Sequence, residues 1–133
     1  MSSSSHRLAR DWAKRIAKDV GGEWTEFSYN EERADVIADG FTIEVKVRRK
    51  IPSYVRESIR LGVEIEYQVP DYLKEWHEQL LRYEEKYQKP CVLCWCEKRK
   101  QLDSVVVMSQ SKFGGSVRWG ELWVGEYAYW AGR

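Results

Sequence analysis

The chain has 133 residues, of which 43% are hydrophobic, and this size fits one domain with one core. It contains no apolar run long enough to span a bilayer and no signal-peptide pattern, so the sequence argues against an integral membrane protein and favours the cytoplasm. The formal net charge of +1 does not by itself indicate a polyanionic partner, so any such partner must be bound by local basic patches.

The first predicted element is a helix from Arg7 to Val20, preceded by a disordered tail over residues 1–6. Apolar residues recur at helical spacing through this segment, and Gly21 and Gly22 end it. Basic residues crowd the same helix, where they form either an ordinary solvated face or a set of phosphate contacts. The candidate contacts are Arg7, Arg10 and Lys14.

Strand patterns follow the helix. One strand is predicted over Glu23 to Tyr29, and two short apolar runs cover Arg33 to Ala38 and Phe41 to Val47. Between the last two runs lie Asp39 and Gly40. An Asp-Gly pair in this position predicts a two-residue hairpin loop of type I′, which needs positive φ at both central residues.

The predicted hairpin brings charged residues together. In its register Val36 faces Ile43 and Asp35 faces Glu44, with opposed Cβ atoms about 4.5–5.5 Å apart. Lys46 lies two residues beyond Glu44 and therefore on the same face. Opposed like charges destabilise a hairpin, and a divalent cation offsets this because hard cations bind carboxylate oxygens. The alternative is an exposed strand face on which Lys46 pairs with either carboxylate.

The rest of the chain predicts five further elements. They are a short helix over Tyr54 to Leu61, a strand over Val63 to Val69, a helix opened by Pro70 and Asp71 that runs to about Gln88, and strands over Cys91 to Glu97 and Ser104 to Met108. Leaving aside the 51–69 segment, whose role the pattern does not define, the order is helix, three strands, helix, two strands. This order predicts an α/β (α+β) fold with a mixed central sheet.

Two further patterns have structural explanations. Cys91, Cys94 and Cys96 lie in one apolar run, which favours a buried strand with free thiols over a zinc site completed by His77. The aromatic-rich end of the chain, which includes Trp119 to Trp130, is interpreted first as core, then as a dimer interface, and last as a base-stacking surface.

The hairpin segment resembles the PD-(D/E)XK nuclease superfamily. Arg-Ala-Asp-Val at 33–36 and Ile-Glu-Val-Lys at 43–46 are similar to its signature of an Asp, a short gap over a turn, and Glu-x-Lys on the next strand. Ala34 stands where the signature has proline. The resemblance covers roughly residues 7–108 and implies a restriction-endonuclease-like core in a single nuclease domain over residues 7–133. It also implies a hydrolase: a Mg²⁺- or Mn²⁺-dependent endodeoxyribonuclease.

The resemblance also implies roles for single residues. Asp35 and Glu44 would bind the metal together with the carbonyl of Val45, and Asp11 in the first helix would supply a further acidic ligand. Lys46 would orient or help to deprotonate the attacking water and stabilise charge on the phosphate. Gln79, which with Tyr83 is similar to the Q-h-x-x-Y pattern of exonucleases in this superfamily, would contact water or phosphate. The basic residues expected to bind DNA are Arg7, Arg10, Lys14, Arg48, Arg49, Lys50, Arg56 and Arg60.

The small domain leaves no room for a separate sequence-reading module, which argues against a typical restriction enzyme. Short chains of this superfamily with a basic first helix resemble archaeal and phage Holliday junction resolvases, which act as homodimers on four-way junctions in DNA recombination and repair. This implies a bacterial, archaeal or phage-infected cell. The alternatives are an exonuclease or nicking enzyme of the phage type, a non-catalytic DNA-binding protein, and a structural or interaction protein.

Overall fold

A computed structural model gives the fold of the chain and describes residues 3–25, 32–48, 50–97, 100–109 and 112–132. The helices are α1 (Ser3–Val20), α2 (Ser53–Leu61), α3 (Asp71–Tyr87) and α4 (Tyr127–Trp130). The strands are β1 (Glu23–Trp24), β2 (Val36–Ile37), β3 (Thr42–Arg48), β4 (Cys91–Glu97), β5 (Lys100–Met108), β6 (Val117–Trp119) and β7 (Leu122–Glu126). The predicted mixed α/β class and the order of the main elements are confirmed.

The seven strands form one mixed sheet in the order β1-β2-β3-β4-β5-β7-β6. β3 and β4 are parallel, and the other neighbouring pairs are antiparallel. Parallel strands need a crossover connection, and the chain makes it through α2 and α3. The crossover places these helices over one face of the sheet and brings α3 beside β3.

Two hydrophobic clusters cover the two faces of the sheet. On the α1 face, Ile43 and Val45 of β3 pack with the buried side of α1. On the α3 face, Leu93 and Trp95 of β4 pack with Leu80 and other residues of α2 and α3. β4 lies at the centre and all of its residues are buried, which explains its continuous apolar sequence. Because side chains alternate along β3, Glu44 and Lys46 must lie on the α3 face.

Several predicted bounds are corrected. α1 begins at Ser3, so residues 3–6 of the predicted tail are helical. Of the strand predicted over residues 23–29, Glu23 and Trp24 pair with β2, while residues 26–29 lie outside the described part of the chain. β5 starts at Lys100 and is longer than predicted.

The strand predicted over Val63 to Val69 is wrong. This segment runs past the edge strand β6 and makes one backbone-to-backbone hydrogen bond with it, from the Ile65 N–H to the Arg118 oxygen at 2.8 Å. Ile65 is buried, which explains the alternating sequence pattern, but β6 has only three residues and offers little length for a ladder.

The aromatic end of the chain contributes to both clusters. Trp119 is buried on the α3 face and Tyr127 on the α1 face, so the core interpretation is confirmed for these two residues. Within the described ranges, no helix combines the length and hydropathy needed to cross a membrane.

Candidate active site

The hairpin has the predicted register but not the predicted turn. Val36 pairs with Ile43, and Ile37 pairs with Thr42. Neither Asp39 nor Gly40 has a positive φ, so the type I′ prediction is wrong. The register is held by packing of Ile43 and Val45 on the α1 face and by backbone pairing of β3 with β4, neither of which requires that turn type.

Asp35 contacts β3 with its side chain, because the chain bends at this residue and does not continue the backbone pairing of β2 with β3. The ladder ends at Val36, and the chain bends at Asp35. Asp35 Oδ2 then accepts a hydrogen bond from the Val45 N–H at 2.8 Å. This contact fixes the carboxylate beside Glu44, where the sequence predicted it.

Glu44 is the most deeply buried member of the group, with 6% of its surface exposed. Its Oε2 lies 3.3 Å from Lys46 Nζ. Its Oε1 is buried and meets no hydrogen-bond donor among the described residues. Lys46 thus pairs with Glu44 as the alternative interpretation predicted, but the exposed strand face of that interpretation is wrong for Glu44, because its side chain is buried.

Burial is the main cause of the raised pKa values of both carboxylates. Burial raises the pKa of Glu44 well above its ordinary value, and the negative charge of Asp35 raises it further, while Lys46 lowers it. Burial also raises the pKa of Asp35, against the lowering effects of its hydrogen bonds and of Lys46. Two acidic groups in one buried place retain both charges only if a cation compensates them; otherwise a proton is taken up.

The donor set available to a cation is oxygen-rich and small. In a strand the N–H and C=O of one residue point to the same side, so the Val45 carbonyl is directed toward Asp35 like its N–H. Asp11 is exposed on α1, whose buried side packs on the opposite sheet face, so the structure does not bring this predicted ligand to the pair. Among the described residues, no group of three or more His, Cys, Asp or Glu side chains is placed to hold a metal ion.

Two carboxylates and a backbone carbonyl fit Mg²⁺ better than metals that need a full protein cage. Magnesium is commonly held by one or two carboxylates, and its other positions are filled by water and substrate phosphate. The unpartnered Glu44 oxygen agrees with this fit. Zinc is not favoured at the cysteines either, because Cys91 packs on the α3 face whereas Cys94 and Cys96 pack on the α1 face.

α3 holds the segment that carries Asp35. The Tyr83 hydroxyl donates to the Arg33 carbonyl at 3.0 Å, and the Tyr87 hydroxyl accepts from the Ala34 N–H at 3.2 Å. Gln79 Nε2 donates to the Tyr83 hydroxyl at 3.2 Å. Gln79 and Tyr83 therefore lie beside the carboxylates as a linked pair, and Gln79 is connected to the site through Tyr83.

Burial and the charge of Glu44 raise the pKa of Tyr83, so its hydroxyl keeps its proton. Sequence reasoning missed the positioning role of Tyr87. It also missed Thr25, whose N–H donates to the Asp35 carbonyl at 2.9 Å. No local pattern signals either contact, since both join segments that are distant in sequence.

The predicted DNA-binding residues separate into groups. Arg48 lies on the α3 face with Lys46, and Lys50 is exposed just beyond it. Arg56 is paired with buried Glu97 at 3.2 Å. Arg60 pairs with Glu57, and Arg49 is outside the described residues. On α1, Arg7 and Arg10 are exposed, and Lys14 lies over the Trp24 ring. The basic residues of α1 therefore belong to the side of the molecule opposite the carboxylates.

No protein-family model, curated protein or solved structure matches this chain. The geometry of Asp35, Glu44 and Lys46 is therefore the basis for a functional proposal.

Proposed function

We propose that this protein is a Mg²⁺-dependent endodeoxyribonuclease that hydrolyses phosphodiester bonds in DNA. The observation that carries the proposal is the pairing of buried Glu44 with half-buried Asp35 beside Lys46, with one Glu44 oxygen lacking a donor among the described residues. A buried carboxylate pair destabilises a fold unless a cation or a proton compensates it. A site that imposes this cost is typical of a functional centre.

Different residues of the chain would have different roles in such a reaction. Asp35, Glu44 and the Val45 carbonyl would hold the metal, which supplies Lewis-acid activation of water and neutralises charge on the phosphate. Lys46 is more exposed than Glu44, with 26% of its side chain accessible, so its ammonium can donate to a phosphate oxygen while it pairs with the carboxylate. Tyr83 and Tyr87 keep Asp35 in place through the chain segment just before it.

DNA would approach on the α3 face. Lys46, Arg48 and Lys50 follow one another at alternate positions at the end of β3 and beyond it, and all three expose at least part of their surface. Their charges can contact successive phosphates near the carboxylates. The cations of α1 lie on the other sheet face and would bind a separate segment of DNA. A branched DNA substrate has such a second segment.

The more specific proposal is the resolution of four-way junctions by a homodimer, in the cytoplasm of a bacterial, archaeal or phage-infected cell. It is supported by the small domain, by the basic residues on both sheet faces, and by the resemblance described above. The second candidate is an exonuclease or nicking enzyme. The hydrogen-bonded Gln79–Tyr83 pair beside the carboxylates favours that candidate.

The test compares a labelled four-way junction with its matching linear duplex, in magnesium and in chelator. The proteins are the wild type, Glu44→Gln, and Asp39→Asn as a matched control. Asp39 is an exposed carboxylate at the tip of the same hairpin and has no part in the site. The molecular mass in solution is measured on the same samples, because resolution of a junction needs two protomers.

Cleavage that needs magnesium, survives Asp39→Asn and is lost in Glu44→Gln would support the nuclease proposal. Paired symmetric nicks in the junction alone would favour the resolvase, and degradation of the linear duplex would favour the exonuclease. Binding of DNA without cleavage of either substrate would contradict the enzymatic proposal and indicate a DNA-binding protein. Absence of both activities would indicate a structural role.

A further inference from the structure

Three tyrosines next to Arg48 form an aromatic surface between the end of β3 and the start of α3, and these rings have no part in the proposed hydrolysis. We call it the tyrosine patch and define it as Arg48, Tyr54, Tyr67 and Tyr72. The Tyr54 and Tyr67 ring centroids are 4.3 Å apart with an interplanar angle of 31°. Arg48 lies over the Tyr72 ring at 5.8 Å. Two buried indoles link the two halves of the patch. Tyr72 packs edge-on against Trp95 at 6.0 Å, and Tyr54 packs edge-on against Trp119 at 5.9 Å. The Trp95 and Trp119 rings are stacked at 6.5 Å.

Tyr67 is the most exposed ring of the patch. Its relative exposure is 64%, which is unusual for so large a ring. Tyr54 supports the ring, and the Tyr67 carbonyl accepts a hydrogen bond from the buried Trp119 indole at 2.8 Å. The backbone is thus anchored to the core while the ring is presented to solvent. An aromatic ring held in this way can bind a flat ligand with little loss of conformational entropy.

The patch is continuous with the candidate active site. Arg48 is two residues beyond Lys46 on β3, so the two side chains lie on one sheet face about 7 Å apart along the strand. The Arg48 guanidinium lies 4.9 Å from the Trp76 ring centroid, and this contact supports it from α3. A ligand that extends from Lys46 along β3 would therefore meet first a guanidinium and then tyrosine rings.

The chemistry of the patch favours a particular form of nucleic acid. Duplex binding depends on many cations that neutralise phosphates, whereas single strands are bound by aromatic rings that stack on bases together with a few cations. Here one exposed guanidinium accompanies three tyrosines, and Glu64, Glu66 and Asp71 are exposed in the same part of the chain. This composition is poor for a duplex backbone and good for an unstacked base.

We propose that the tyrosine patch binds an unpaired nucleotide adjacent to the cleaved phosphate, with the base on Tyr67 and a phosphate on Arg48. The position relative to cleavage rests on the proposed function, but the binding itself does not. Substrates with an unpaired strand beside the cut, such as an extension or an open branch, would therefore be preferred over an intact duplex.

The experiment measures binding by fluorescence anisotropy, with calcium in place of magnesium so that turnover does not intervene. The probes are a labelled single strand, a blunt duplex, and the same duplex with a single-stranded extension. The variants are Tyr67→Ala, Tyr67→Phe and Arg48→Ala. Tyr129→Ala is the matched control, since Tyr129 is 62% exposed and lies outside the patch. Circular dichroism melting verifies that each variant folds.

We expect Tyr67→Ala to weaken binding of the single strand and of the extended duplex about tenfold, and to leave blunt-duplex binding unchanged. Tyr67→Phe should bind as the wild type does, because stacking needs the ring and not the hydroxyl. Arg48→Ala should lower the slope of log affinity against log salt by about 0.7 on the single strand. Tyr129→Ala should have no effect.

Unchanged single-strand affinity in Tyr67→Ala would overturn the proposal, as would an equal loss on all three probes. If the wild type cleaves DNA and either of those results is found, the nuclease proposal stands and only the proposal that the tyrosine patch binds a nucleotide is rejected. Single-strand binding that depends on Tyr67 in a protein that cleaves no DNA would support the patch as a binding site and contradict the hydrolytic function.

Discussion

Replacement of Glu44 by glutamine removes an ionisable group from the carboxylate pair, and its effect on stability should depend on pH. The ordinary pKa of this side chain is 4.5, and in the folded protein it lies well above that value because of burial and Asp35. Between the two values the folded state binds a proton that the unfolded state has released. The stability contributed by this group is therefore complete below pH 4.5 and is lost as the pH rises through the folded-state pKa.

The size of the effect follows from proton linkage. One extra bound proton gives a slope of about 1.4 kcal/mol per pH unit, or about 5 °C in Tm per unit for a domain of this size. Magnesium at a hundred times its dissociation constant should restore about 2.7 kcal/mol at neutral pH by binding the folded state. Glu44→Gln should have a flatter profile than the wild type and should gain much less stability from magnesium.

The assay is thermal unfolding of the wild type, Glu44→Gln and the control Asp39→Asn between pH 5 and 8, in chelator and in magnesium. Subtraction of one profile from another cancels the titration of groups outside the site. A difference between wild type and Glu44→Gln that does not vary with pH would refute the interpretation of the pair as mutually repelling carboxylates. Equal stabilisation of both proteins by magnesium would show that the metal binds elsewhere.

Four further variants test the surroundings of the carboxylate pair and the packing of the hairpin that carries it. Lys46→Ala should lower kcat about a hundredfold and change the magnesium requirement little. Single-turnover cleavage measures both effects, and a larger change in metal affinity than in rate would contradict the role assigned to Lys46. Tyr83→Phe removes the hydrogen bond to the Arg33 carbonyl, so it should destabilise the protein by about 1 kcal/mol. It should also raise the magnesium concentration that gives half-maximal cleavage. Wild-type values of both quantities would argue against positioning of Asp35 by α3. Gly22→Ala would put a Cβ 2.9 Å from a backbone oxygen of β2 and should cost about 1–3 kcal/mol in urea unfolding. Gly40→Ala has open space and no positive φ, so it should be neutral or stabilising by up to about 1 kcal/mol, and a loss as large as that of Gly22→Ala would contradict the close packing at Gly22.

Local sequence patterns were sufficient for the parts of the fold that depend on neighbouring residues. The alternation around Asp39 and Gly40 predicted the pairing of Val36 with Ile43, and with it the meeting of Asp35 and Glu44. Apolar spacing predicted α3 to within a residue and β4 over its full length. These predictions succeeded because the periods of strands and helices are properties of the local backbone.

The prediction of the turn conformation failed although its register held. The Asp-Gly pair favours type I′ in an isolated hairpin, but β3 is also fixed by parallel pairing with β4 and by packing on the α1 face. These non-local contacts determine the register, so the turn can adopt another conformation.

Only the tertiary structure decided which residues share a face of the sheet. Asp11 is separated from the carboxylates because α1 packs on the opposite face, a choice that no pattern within α1 reveals. The burial of Glu44, the hydrogen bond from Tyr83 to Arg33 and the tyrosine patch all arise when α2 and α3 cross over the sheet. The sequence thus determined the strand pair and its charged residues. Contacts between distant segments determined the burial of Glu44, the support of Asp35 by α3 and the tyrosine patch beside the site, because all three depend on how the helices pack across the whole sheet.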